Sequence, residues 1–138
     1  PPLAVPRGDT FGGQIRLWGY DLEREGPSLR LRLHWGAITA IAGDYTFFVH
    51  LFDPATEHIV AQVDTQPHGG TYPTWQWAPG EVVSDDIPLA LGDVPPGRYR
   101  LALGWYDAAT GQRLPARAPD STPHPADRVI LADIVDVP

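Results

Sequence analysis

A chain of 138 residues has the size of one ordinary domain, which buries roughly two-thirds of its unfolded surface and needs no staples to hold a core. Its ten basic residues, all arginine, face seventeen acids for a formal net charge of −7, which argues against nucleic acid as a partner; the lack of cysteine excludes disulfides, thiolate metal sites and cysteine nucleophiles. No run approaches the roughly 20 apolar residues of a membrane helix, and the first residues lack the basic start and apolar stretch of a signal peptide.

The chain begins at Pro1 and holds no methionine, so it is expected to be a fragment of a longer protein. Residues 1–10 read as a linker or lead-in, because Pro1, Pro2, Pro6 and Gly8 leave little regular hydrogen bonding, and the domain is expected over 11–138 with order from about Phe11.

Residues 15–22 carry the first strand signal, with Trp18 alternating with Arg16 and Tyr20. Residues 28–35 alternate cleanly, placing Leu29, Leu31, Leu33 and Trp35 on a buried face and Ser28, Arg30, Arg32 and His34 on a wet one. Residues 45–52 are apolar on both parities, which predicts a central strand covered on its second face by a loop or neighbouring segment. His50, their one polar interruption, reads as a core histidine.

The turns at 52–57 and 106–111 share an Asp followed by Thr or Gly, chemistry that closes hairpin connections. Strand signals continue at 59–64, 82–91, 98–105 and 128–135. Between the first two of these, Gly69-Gly70 is a flexible turn. Residues 72–78 form a Pro-flanked edge or loop on which Trp75 cannot be fully covered. In Pro95-Pro96-Gly97-Arg98-Tyr99, the tyrosine hydroxyl is positioned to tie back to an earlier loop.

Seven short strands separated by Gly and Pro predict an all-β fold: an antiparallel β-sandwich, immunoglobulin-like, with a jelly roll as the alternative. Sheet edges leave the oligomeric state open.

No catalytic residues emerge, and the segment is read as not an enzyme. The five histidines, at 34, 50, 58, 68 and 124, lie near no nucleophile elbow. Asp64, Asp85 and Asp86 read as solvated strand-end acids, and neither they nor His50 and His68 match a ligand signature, so no metal or cofactor is expected. Arg30, Arg32, Arg98 and Arg100 read as wet-face arginines that pair with acids or water. Five tryptophans exceed what the core requires. Trp35 and Trp105 fall on apolar faces, which leaves Trp75, Tyr72 and Trp18 as candidates for an exposed platform on which a sugar could stack.

Several segments carry a resemblance: Phe11-Gly12-Gly13-Gln14-Ile15-Arg16-Leu17, Tyr45-Thr46-Phe47-Phe48-Val49-His50-Leu51, Tyr72-Pro73-Thr74, Trp77-Ala78-Pro79-Gly80-Glu81 and Pro96-Gly97-Arg98-Tyr99-Arg100-Leu101. Together they resemble a C-terminal β-sandwich domain of bacterial multi-pass membrane proteins of the dolichyl-phosphate-mannose mannosyltransferase type, a class of glycosyltransferases. The resemblance implies a non-catalytic accessory domain outside the cytoplasm, anchored through the part of the parent protein beyond this segment, with the membrane-embedded parent domain as partner. It supplies no catalytic residues, and it favours packing for Trp77. The alternatives are a carbohydrate-binding module, with a glycan as partner, and a hydrolase whose site is unrecognised.

If no metal supports the fold, dialysis against EDTA leaves the melting temperature unchanged. A drop of several degrees would make the acids around Asp85 ligands.

Overall fold

The computed structural model describes residues 5–138, so the first four residues of the expected lead-in lie outside the described residues. Two antiparallel sheets face each other, and the helical segments among the described residues are three short 3-10 turns. In the first sheet β1 (Val5–Pro6) and β2 (Thr10–Phe11) pair with β3 (Ile15–Glu25), which pairs with β4 (Ser28–Ala37). The other sheet is centred on β5 (Tyr45–Phe52), which pairs with β6 (Ile59–Thr65). The chain then returns to the first sheet as β7 (Val82–Ala90) beside β4 and crosses back as β8 (Gly97–Asp107) beside β5. These two interlocked pairs, β4–β7 and β5–β8, are the Greek-key core of an immunoglobulin-like sandwich. Short strands finish the edges: β9 (Ala116–Arg117) on β2, and β10 (Val129–Ile130) and β11 (Val135–Val137) on β8.

The two-residue period of β4 is kept, with Leu29, Leu31, Leu33 and Trp35 all buried and Arg30 and Arg32 exposed. At the centre Trp35 and Trp105, one from each sheet, meet edge-to-face with ring centroids 4.9 Å apart. Phe47 lies 5.5 Å and 5.1 Å from them, Phe11 packs on Trp35 and Trp77 on Trp105.

The double-sided burial of β5 has the expected cause. Phe47, Val49 and Leu51 face the core, while on the other side Phe48 and Phe52 lie under the guanidinium groups of Arg113 and Arg128, 4.4 Å and 4.6 Å from the rings. His50 is buried beside Phe48, at 4.4 Å between ring centroids, and burial lowers its pKa, reinforced by Arg113. The Tyr99 hydroxyl donates to the Pro95 carbonyl at 2.6 Å, the tie its sequence setting predicts.

Three segments differ from expectation by more than a few residues at a strand end. Among the described residues pairing is present from Val5, ahead of the start expected near Phe11. The reason is Asp9, which is 0 % exposed. Arg7 donates to it through two nitrogens at 2.8 Å and 3.1 Å, and His124 lies 2.8 Å from its second oxygen. A buried carboxylate is held only where such partners satisfy it, so residues 7–9 are part of the folded unit. The expected strand over 128–135 is split into β10 and β11, because Arg100 donates to the Leu131 carbonyl and the Tyr20 hydroxyl donates to Asp133 between them. At the 52–57 turn, Ala55 N–H donates to the Asp53 side chain and a β5–β6 hairpin closes as expected. The matching turn after Tyr106 is closed by Asp107 in the same way. It makes only one bridge, Tyr106 to Arg113, before the chain leaves to join β9 in the opposite sheet.

Burial alone would raise the Asp9 pKa, but the hydrogen bonds from Arg7 and His124 outweigh it and the net shift is downward. Its contribution to stability is therefore complete above the unfolded carboxylate pKa of about 4 and is lost as pH falls through the lower folded value. Asp9→Ala is expected to cost about 3 kcal/mol at pH 7, since it strands the buried side of its partners. In denaturant titrations the deficit relative to wild type should shrink below about pH 4.

Candidate functional site

The first candidate is the turn between β6 and β7. Pro73 sets its entry and residues Thr74–Gln76 wind as a 3-10 turn. Three residues per turn put positions i and i+3 on one side, so Thr74 and Trp77 both face inward and Trp75 and Gln76 outward. Thr74 is clamped from the β4–β5 connection: its hydroxyl donates to the Gly43 carbonyl at 2.6 Å and accepts from Tyr45 N–H at 3.2 Å. The Trp77 indole N–H donates to the Tyr72 carbonyl at 3.1 Å. Between these anchors Trp75 is left 54 % exposed.

Tyr72 is differently placed. It is half-buried, its ring packs 5.7 Å from that of His68, and its hydroxyl donates to Glu81. Glu81 also accepts from Ala78 N–H at 2.6 Å, and the Tyr72 bond, then the Ala78 bond, lower its pKa. Tyr72 therefore braces the turn with its hydroxyl engaged, and Trp75 is the open ring.

Trp18 lies elsewhere, on the outer face of the first sheet. The β3–β4 register slips between Leu17 and Gly19, so Trp18 is the additional residue of a bulge. Its sequence alternation with Arg16 and Tyr20 consequently breaks: Arg16 and Trp18 are partly exposed, whereas Tyr20 is buried in the core. The indole lies over Gly36, where an added Cβ would come 2.2 Å from Nε1 and 3.1 Å from the Glu81 carbonyl oxygen. Arg16 stacks on the ring at 5.0 Å. Together with Thr10, Arg7 and Gly8 these two residues border an open groove of about 450 Å³, whose far wall is Ala118, Pro119 and Ser121.

The sequence therefore singles out three aromatics that occupy two places, with Tyr72 and Trp75 on the turn and Trp18 in the groove. It misses Arg7, Arg16, Thr10 and Ser121. Ser121 lies more than a hundred residues from Arg16, and no local pattern announces that they share a groove.

The other polar groups form structural contacts. Asp64 accepts from Tyr106 and Gln62 on the second sheet, whereas Asp85 and Asp86 are on β7 of the first. Asp86 pairs with Arg32 at 2.7 Å. Asp85 accepts from His68 N–H at 2.9 Å, its second oxygen is buried without a hydrogen bond, and burial raises its pKa. Arg30 pairs with Glu25 and Arg98 with Asp136, on separate sheets, and no basic stripe forms. Among the described residues no three acids or histidines converge as a metal site.

One arrangement has the composition of a catalytic relay: Ser84 Oγ lies 2.8 Å from His34 Nδ1, and His34 Nε2 lies 3.0 Å from Asp21. His34 and Ser84 are direct cross-strand partners in the β4–β7 ladder, which already engages strand N–H groups that an oxyanion would need. The chain of bonds ties β3, β4 and β7 together.

No family model matches this sequence, and neither does any curated protein. A solved structure does: the crystal structure of the C-terminal domain of wzt, with a TM-score of 0.59 at 12 % identity, covering 99 % of this chain and 88 % of that one. At that identity the likeness shows the shared sandwich fold. The glycosyltransferase parent implied by the sequence resemblance gains no support from it.

Gly36→Ala is expected to push the Trp18 indole aside, at a cost of about 1–3 kcal/mol. A shifted tryptophan emission spectrum together with a lower denaturation midpoint would report it, and an unchanged spectrum would mean that the indole does not rest on Gly36.

Proposed function

We propose that this domain is a non-catalytic carbohydrate-binding module in which Trp75 is the stacking ring. The observation that carries the reading is an indole 54 % exposed on a turn whose neighbours Thr74 and Trp77 are buried and hydrogen-bonded. A large apolar ring fixed in water is a standing cost, recovered when a flat partner covers it, and the C–H face of a sugar ring is such a partner. Gln76, exposed beside it, offers both a donor and an acceptor to sugar hydroxyls. The rigid turn means that little conformational freedom is lost on binding.

The non-catalytic part of the reading rests on the engagement of Asp64 by Tyr106 and Gln62 and of Asp86 by Arg32, and on the strand-face setting of Ser84 and His34. That the domain is an appended module is consistent with a structural neighbour that is itself a C-terminal domain. A membrane-anchored parent, with this domain outside the cytoplasm and in contact with the embedded part, is the setting we infer from the sequence resemblance. Finding a multi-span segment ahead of it in the full gene product would test that setting.

A single exposed ring gives shallow contact, worth about 4–6 kcal/mol, so the dissociation constant should fall between millimolar and high micromolar. Neutral oligosaccharides titrated against amide NMR shifts should move resonances of residues 72–78 in wild type and not in Trp75→Ala. The reading fails if no glycan shifts any resonance, and Trp75 loses its role if the shifts survive its removal.

A further inference from the structure

We infer that the groove between Trp18 and the 118–121 turn is a second binding site, which takes the carboxylate of an acidic sugar on Arg16. The starting point is the arginine inventory. Nine of the ten arginines donate to a carboxylate or to a backbone carbonyl. Arg16 alone, among the described residues, has no such acceptor, in a chain whose net charge of −7 offers many. Its contact is the Trp18 ring, 5.0 Å from the guanidinium carbon. A cation–π contact uses none of the guanidinium N–H groups as hydrogen-bond donors, so the fork that receives a carboxylate through two parallel bonds is unspent.

The surroundings favour a small polar ligand. Arg7, in the same groove, is already neutralised by Asp9, so the net positive charge of the site comes from Arg16. Thr10 and Ser121 line the groove, and their hydroxyls make no hydrogen bond among the described residues, which leaves them for ligand hydroxyls. The far wall is fixed in advance: Ser121 N–H donates to the Ala118 carbonyl at 2.8 Å and Arg117 donates to the Ser121 carbonyl at 3.0 Å. Ser121 is held at a φ of 72°, a left-handed conformation a serine rarely adopts, and backbone of this kind persists where surrounding bonds over-determine it. A volume of about 450 Å³ lies within the range of small-molecule sites. A simple anion would satisfy Arg16 but leave both hydroxyls unused, so an acidic saccharide matches the whole set.

This inference rests on the glycan reading only in the ligand class it names, and it concerns different residues. The probes are digalacturonate and its methyl ester, which differ in charge and little in shape, with sodium acetate as the anion without the sugar. Binding to wild-type protein at low salt, followed through the Arg16 side-chain and Trp18 indole resonances, should be about tenfold tighter for the acid than for the ester, as one charge-assisted pair contributes. Arg16→Gln should abolish that preference, Arg16→Lys should keep part of it, and Trp75→Ala should leave it unchanged. Equal affinity for acid and ester in wild type overturns the inference without any variant. A preference that survives Arg16→Gln, or acetate binding as tightly as digalacturonate, overturns it too. If neutral glycans fail to bind at Trp75 while digalacturonate binds here, the Trp75 platform falls and this site stands; the converse result keeps the platform and removes this site.

Discussion

Contact between Trp35 and Trp105 across the two sheets sets the positions of everything else in the domain. Each ring presents its edge or face to the other at 4.9 Å, and Phe11, Phe47 and Trp77 close around them. Neither indole N–H has a hydrogen-bond partner among the described residues, so the cluster is selected for shape and area at the expense of polar satisfaction. Its outer members reach both candidate sites. Trp77 anchors the turn that holds Trp75 outward, and Phe11 anchors β2, whose Thr10 borders the groove.

A second constraint acts at the edge of the first sheet. Asp9 draws in Arg7 from the start of the chain and His124 from a loop 115 residues later. That pairing brings the 118–121 turn and residues 7–10 to opposite sides of one groove. The groove is thus a by-product of satisfying a buried charge, and this is why its far wall is preformed. The same economy explains the contrast between Arg7 and Arg16, since the first is engaged by the buried carboxylate while the second has only an indole to rest on.

The outer faces of the two sheets differ for reasons of chain path. On the first, Arg32–Asp86, His34–Asp21 and Arg30–Glu25 make a polar lattice between neighbouring strands or across a turn. On the second, the outward apolar side chains of β5 are roofed by arginines from the 113–128 segment, which the chain must cross on its way back to β10. A relay of serine, histidine and aspartate arises on the first face from cross-strand register, and its components match a catalytic set in type while the strand backbone beneath them is occupied in the ladder.

Local periodicity was enough to determine the sheet-forming segments and much of the core, because a strand alternates every two residues whatever it later packs against: Leu29 to Trp35, the double-sided apolar run of β5 and the Tyr99 tie were all legible. Exposure of Trp75 was legible too, since the prolines on either side restrict pairing without reference to any distant residue. Tertiary structure alone decided the rest. The bulge at Trp18 reverses the parity that would have put Tyr20 outside, and a register slip has no signature in a two-residue pattern. The fate of Asp9 depended on His124, and the groove on Ser121, both far along the chain. That Arg16 has no carboxylate among the described residues is a statement about all of their acids at once, and such a statement exists only when the chain is folded, because charge pairing depends on distance in space and not on distance in sequence.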